Sequence, residues 1–222
     1  MRLKLREELR QNFEGLRADL LMLEGVKVLD RGEELEAYKE ECFERLRGDF
    51  ELEGLKDEAR IRAYRDFFWR VGIDPTKIRP ASEALLRRVL QGKSIPTINT
   101  LVDSYNLASM ETRVALAAFD LTSLGGDLIM RFAEDGEEFL GIGMSSPVAL
   151  RGKEIVVEDV AGLVAVYPYR DADRTKVSLE TEDVVIMVCG VPGIDDVALA
   201  EAHERVSDLI TRFCGGRAYP PR

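Results

Sequence analysis

The stretch VALAAFDLTSLGGDLIMRFA, residues 114–133, is where the chain changes period. Its apolar residues fall into two short runs, VALAAF and DLIMRFA, on either side of Gly125-Gly126, a pattern of strands joined by turns. Runs of the same kind follow at 138–142 (EFLGI), 154–159 (EIVVED), 162–167 (GLVAVY) and 183–189 (DVVIMVC), with Asp-Gly and Ala-Gly turns among them. A mainly antiparallel or mixed sheet is expected from this half. Upstream the spacing is helical. Leu35, Tyr38, Cys42 and Leu46 share one face, and Ile61, Tyr64, Phe68 and Val71 share another before Gly72 and Asp74-Pro75 stop the run. Pro80 opens a third helix, PASEALLRRVLQG, with Gly92 where a C-cap would sit.

A fourth helix over Leu101–Met110 has few charges and puts Val102, Asn106 and Ser109 on one semi-polar face, which is unusual for pure packing. The opening residues read as a short helix, and LRADLLMLEGVKV, residues 16–28, as a strand, with a helix as the alternative. Downstream, Val197, Ala202, Val206, Leu209 and Phe213 recur at helical spacing behind Asp195-Asp196 and ahead of Gly215-Gly216. The expected fold class is α+β: N-terminal helices, then the sheet, then a C-terminal helix covering one sheet face.

The 222 residues carry 31 basic against 41 acidic side chains, a net charge of −10, which excludes a non-specific nucleic-acid coat. The acid-rich start has no apolar core like that of a signal peptide, and no run is long enough for a membrane span, so a cytoplasmic protein that touches no membrane is expected. Cys42, Cys189 and Cys214 match no disulfide or metal spacing and read as small buried hydrophobes. Neither a metal nor another cofactor is expected. Within the acidic chain, residues 74–93 are basic, with Lys77, Arg79, Arg87, Arg88 and Lys93 against Asp74 and Glu83. By composition alone this is a solvated helix face.

Most motifs have structural explanations. His203 is the one histidine, lies in the C-terminal helix and has no marked nucleophilic partner. GIGMSSP, residues 141–147, cannot be a dinucleotide turn, because Pro147 and a following strand deny it the helix it must open. AEDGEE, residues 133–138, reads as an acidic hairpin tip. RDADRT, residues 170–175, is different. Arg170 and Arg174 near Thr175 can fork onto the oxygens of an anionic or carbonyl-bearing ligand, or Asp171 and Asp173 can neutralise them locally.

Three segments in order, RVGIDPTKIRPASEALLRRVLQGKSIPTINTLVDSYNLASMET, then AAFDLTSLGGDLIMRFA with DGEEF, then YRDADRTKVSLET, resemble the editing domain of the phenylalanyl-tRNA synthetase beta subunit, the B-three/B-four domain. The resemblance runs from about Arg62 to Gly193 and implies a freestanding relative: a domain over 61–222, and a strand/helix extension over 1–60 packed on it. It also implies hydrolysis of a misacylated tRNA in trans, with the tRNA acceptor end as partner and the basic 77–93 stretch steering the RNA. VDSYNLASMET matches the family's Val-Asp-x-x-Asn-x-x-x-x-Glu segment at Asn106 and Glu111. Two positions depart from the family pattern: Ala117 stands where the synthetases carry a histidine, and Met187 near their tyrosine-sensing glutamate.

An aminoacyl ester is already activated, so hydrolysis does not require that histidine. Asn106 or Thr175 can position water, Arg170 or Arg174 can stabilise the developing oxyanion, and Asp171 can orient the ester. Ser109, Glu111, Ala117 and Met187 are the expected substrate-binding positions. The competing reading is a module that kept the fold and binds tRNA, an amino acid or a nucleotide without turnover. A small-molecule hydrolase that uses no tRNA would suit the net charge of −10.

Overall fold

The computed structural model describes residues 1–219, so the last three positions of the 61–222 span lie outside the described residues. In chain order the elements are β1 (Leu3–Leu5), α1 (Glu7–Asn12), β2 (Arg17–Glu24), α2 (Glu33–Asp49), α3 (Ala59–Arg70), α4 (Ala81–Leu90) and α5 (Thr100–Thr112). Then come β3 (Ala115–Asp120), β4 (Leu128–Phe132), β5 (Asp135–Phe139), β6 (Val148–Arg151), β7 (Ile155–Asp159), β8 (Gly162–Tyr167), β9 (Arg170–Asp171), β10 (Asp183–Gly190), α6 (Asp196–Cys214) and β11 (Arg217–Tyr219). The fold is α+β, as the change of period indicates.

A four-stranded antiparallel sheet, β11-β2-β10-β3, forms the middle layer. Side chains alternate across it. Val185, Met187 and Cys189 of β10 enter a core shared with a second, five-stranded sheet, β1-β4-β7-β8-β9. Val184 and Ile186 enter the opposite core, under α2, α4, α5 and α6. β10 therefore buries both faces, which is why DVVIMVC reads as a continuous apolar run rather than an alternating one. Removing each such side chain from water stabilises the fold by about 1.5–3 kcal/mol.

The helices begin where polar side chains satisfy their first N–H groups. Asn99 accepts from Val102 N–H at 2.8 Å to start α5, Asp195 from Ala198 N–H at 2.8 Å to start α6, and Glu58 from Ile61 N–H at 2.9 Å to start α3. α5 ends at Arg113, whose φ of 59° is in the left-handed region. α6 covers the sheet as expected, sending Ala198, Leu199 and Ala202 into one core and Val206, Leu209 and Ile210 into the other.

The structure differs from the sequence reading in several short elements. The opening is not helical throughout: β1 precedes α1 and pairs in parallel with β4. β6, β9 and β11 have four, two and three residues, too few to show a period. The acidic 133–138 run is not a free hairpin tip. Its Glu137 holds Arg131 in a two-point ion pair at 2.9 and 2.7 Å, and most of the run is strand β5. β2, from the first 60 residues, is hydrogen-bonded between β11 and β10, so the middle sheet crosses residue 60. Cys42, Cys189 and Cys214 are free and buried. Among the described residues no helix is long and apolar enough to cross a membrane.

Tyr64, fully buried, ties this sheet to α3. Its hydroxyl accepts from Ala115 N–H at 3.0 Å and donates to the Cys189 carbonyl, serving the ends of β3 and β10 together. Tyr64→Phe leaves both backbone groups unsatisfied and is expected to cost about 1–3 kcal/mol, read as a lower urea midpoint with an unchanged m-value.

Candidate functional site

A cavity of about 160 Å³ lies beside β3, the edge strand of the middle sheet. α5 supplies Tyr105, Asn106 and Ser109; β3 supplies Leu116 and Ala117; β10 supplies Met187 and Cys189. The far wall comes from the other sheet, with Ala165 to Tyr167 of β8 and Tyr169, Arg170 and Asp171 around β9. The space suits one aromatic ring or an aminoacyl group rather than a folded macromolecule.

Ala117 and Met187 are direct cross-strand partners, and both face this space. The two departures from the resembled pattern, seventy residues apart in sequence, are therefore neighbours on one apolar wall. Asn106 is half-buried, and its side chain has no hydrogen-bond partner among the described residues. Ser109 also lines the cavity, but its hydroxyl donates to the Val114 carbonyl at 2.7 Å and helps turn the chain from α5 into β3.

Arg170 and Asp171 occupy opposite situations. The Arg170 stem crosses Gly141, where an added Cβ would collide with its Cδ, and its Nη1 donates to the Ile142 carbonyl at 3.0 Å. Ile142 N–H in turn donates to the Asp171 carbonyl at 2.9 Å, so the GIGMSSP loop serves as a bracket for β9. The Asp171 side chain has no ion-pair partner among the described residues. It keeps some accessible surface, as a cavity wall must, yet burial pushes its carboxyl up to about 7, offset in part by the Ala118 backbone amide. Burial also raises the Tyr105 hydroxyl and the Cys189 thiol, with the Asp171 charge adding to both, so this thiol is no nucleophile.

Three expected site residues lie elsewhere. Arg174 donates to the Leu163, Gly162 and Ser123 carbonyls at 2.9, 2.8 and 3.1 Å and pairs with Asp159 at 2.6 Å, which holds loops of the five-stranded sheet. Thr175 is fully buried, with its hydroxyl on the Ala172 carbonyl, and cannot position water in the cavity. Three residues along a strand-to-turn segment do not bring two side chains to one face when the chain coils between them, and that coil was not visible in RDADRT. Glu111 ties α5 to α2 and α6: it accepts from Arg205 at 2.6 and 3.0 Å, from Tyr38 at 2.8 Å, and from Arg45. It faces a wider groove of about 350 Å³ whose charges are largely paired.

None of the five basic residues at 77–93 lines the cavity. Lys77 lies 3.8 Å from Asp74 and Arg79 3.9 Å from Glu83, while Arg88 donates to the Ser94 carbonyl at 2.8 Å. Arg87 and Lys93 make no ion pair among the described residues, and Glu83 is met more closely by Arg65, at 2.9 Å, than by Arg79. His203, half-buried on α6, is not at the cavity either. Among the described residues no group of three or more His, Cys, Asp or Glu is placed to hold a metal ion.

A family model described as B3/4 domain matches residues 63–215. The chain belongs to the B3/4 domain family. The beta subunit of phenylalanine--tRNA ligase from Neisseria gonorrhoeae is 26% identical over 189 residues, covering 73% of this chain and 24% of the relative. That from Pseudomonas fluorescens is 28% identical over 165 residues, covering 64% and 21%. Among solved structures, an N-terminal fragment of the phenylalanyl-tRNA synthetase beta-subunit from Pyrococcus horikoshii matches with a TM-score of 0.54 at 12% identity, over 98% of this chain and 50% of that one. At that identity the match shows the fold alone. This B3/4 chain spans less than a quarter of the curated relatives' length.

Two stability measurements separate the cavity carboxylate from the helix tie. Burial alone would raise the Glu111 carboxyl, but the hydrogen bonds from Arg205 and Tyr38 and the Arg205 and Arg45 charges hold it below its ordinary value. Its contribution is therefore present at neutral pH and lost as pH falls through the folded value; Glu111→Gln is expected to cost about 1–3 kcal/mol at pH 7 and less in acid. Asp171 has the opposite sign. Folded, it binds more protons than unfolded between its ordinary 3.8 and about 7, so stability falls as pH rises through that window. Asp171→Asn should remove this loss, and its advantage in Tm over wild type should grow by a few degrees from pH 5 to pH 8.

Proposed function

We propose that this B3/4 chain hydrolyses the ester of a misacylated tRNA, acting on the acceptor end in trans. What supports the reading is the meeting, in one cavity of aminoacyl size, of an uncommitted Asn106 amide and the Asp171 carboxyl, with Arg170 on the wall and its Nη1 on the Ile142 carbonyl. The relatives are beta subunits of phenylalanine--tRNA ligase, an enzyme named for its tRNA substrate. In the reaction, a water oxygen bonds to the ester carbonyl carbon and the bond from that carbon to the ribose oxygen breaks. One water proton ends on the ribose oxygen, and the carboxylic acid releases the other.

Each group has a stated task. Asn106 orients the water, assisted by the neighbouring ribose hydroxyl, and Arg170 stabilises negative charge developing on the carbonyl oxygen. Asp171 orients the acyl group. No metal or cofactor enters this scheme. The apolar Ala117–Met187 pair gives the wall no polar group for a tyrosine hydroxyl, which makes an apolar side chain the expected acyl group. The same pair favours a second reading, a module that binds the acylated end without turnover.

Incubation with a panel of misacylated tRNAs decides between them. Wild type is expected to release the amino acid from at least one member, with Asn106→Ala and Arg170→Ala each slower by ~10–100-fold in single-turnover rate. Binding that weakens with salt and is accompanied by no deacylation selects the module. Rates unchanged in both variants remove these residues from the scheme.

A further inference from the structure

Asp171 differs from the buried acids of this chain, each of which is met by a cation or by several hydrogen-bond donors, whereas it has only the Ala118 backbone amide. Glu83, 1% exposed, is met by Arg65 at 2.9 Å. Asp103, 3% exposed, is met by Lys39 at 3.0 Å. Asp159, 7% exposed, is met by Arg174 at 2.6 Å. Asp120, 9% exposed, is held instead by the Thr122 and Thr181 hydroxyls, each at 2.6 Å, and by Thr122 N–H at 2.8 Å, while each of the other three has a cation, which offsets the cost of desolvating the charge. Asp171 has none among the described residues, although Arg170 is its chain neighbour, because that guanidinium is held on the Ile142 carbonyl by the 141–147 loop. The groups facing Asp171 are acidic or neutral on each element packed against it: Tyr105 of α5 with Asp103 behind it, Tyr167 of β8, Cys189 of β10, and the alanines of β3. A carboxylate left so, open to a cavity, has its counter-charge outside the protein.

We propose that Asp171 is the counter-ion for a primary ammonium group of the ligand, the free α-amino group of the aminoacyl moiety, and so restricts the cavity to acyl groups that carry an unblocked amine. The inference rests on the reading of the cavity as an aminoacyl site. It adds what that reading leaves open, namely which end of the acyl group is recognised by charge. The ammonium faces Asp171 while the side chain lies on the Ala117–Met187 wall, a polarity of binding that the two sheets impose by presenting one polar and one apolar side. In the empty cavity the carboxyl titrates near neutrality, and a bound ammonium favours its ionised form, so binding releases a proton.

The test uses the full chain with L-phenylalaninol and L-valinol, amino alcohols whose amine stays protonated across the range used, and the N-acetyl form of each. Calorimetry at pH 6, 7 and 8, in two buffers of different ionisation heat, reads affinity and proton release. Wild type is expected to bind one free amine at least tenfold tighter than its N-acetyl form, with that advantage falling about tenfold from pH 8 to pH 6 as a carboxyl with a pKa of about 7 is protonated. Asp171→Asn should lose the advantage while keeping its affinity for the N-acetyl form, and Asp171→Glu should retain part of it. The comparison of free and acetylated probes on wild type needs no variant to fold. Equal binding of the two probes, or no binding of either, overturns the proposal. So does an Asp171→Asn variant that loses kcat on aminoacyl-tRNA with KM unchanged, since that marks a proton acceptor. Tight, pH-dependent binding of the free amines with no deacylation anywhere upholds the counter-ion and removes only the hydrolytic reading. Cleavage of N-acetylaminoacyl-tRNA as fast as the free form does the reverse.

Discussion

The molecule is organised around a strand that cannot face water on either side. β10 lies between β2 and β3 in the middle sheet, with Val185 and Met187 pointing into one core and Val184 and Ile186 into the other. Two layers must therefore cover it, the helices on one face and the five-stranded sheet on the other. Hydrogen bonds within the sheet set the register, and the two cores make that register costly to change, since a slip by one residue would exchange every side chain between cores of different shape. The buried hydroxyls of Tyr64 and Tyr167 close the end of this arrangement, Tyr167 reaching the Gly190 carbonyl at 2.9 Å and the Arg17 carbonyl at 3.0 Å.

The cavity follows from that architecture. The middle sheet ends at β3 while the five-stranded sheet continues to β9, and α5 closes over the gap. Polar groups gather there because the edge of a sheet is where strands, a helix and loops from distant parts of the chain meet. Their division of labour is physical. Arg174, Thr175 and Glu111 have their polar atoms occupied by the fold, whereas the Asn106 amide has no partner among the described residues and the Asp171 carboxyl has only the Ala118 amide. A side chain whose hydrogen bonds are already made is poorly suited to bind or position anything else, and this separates candidate site residues from structural ones more sharply than residue type does.

Much of this was legible in particular residues. The semi-polar face of α5 pointed to Asn106 and Ser109, and the ordered motifs from Arg62 to Gly193 pointed to the family. The RDADRT segment was half legible: its first two residues reach the cavity and its last two do not. No periodicity applies to a two-residue strand followed by a tight turn, so nothing local could tell Arg170 from Arg174. The isolation of Asp171 was also hidden, because the nearest cation in sequence is the adjacent residue and only the 141–147 loop shows that this cation is held on the Ile142 carbonyl and makes no ion pair with it. AEDGEE misled for a related reason, since the partner that anchors Glu137 is Arg131 on the preceding strand.

By itself the sequence determined the class of fold and the long elements, because each of these depends on patterns of burial repeated over many residues, and its ordered motifs resembled those of the family. The tertiary structure alone decided that Ala117 and Met187 share a wall, that Arg174 braces loops while Arg170 borders a cavity, and that the Asp171 carboxyl at that cavity lacks a cation. Those outcomes depend on which side chains meet across strands and layers, and a meeting of two residues far apart in the chain leaves no period in either neighbourhood to be read.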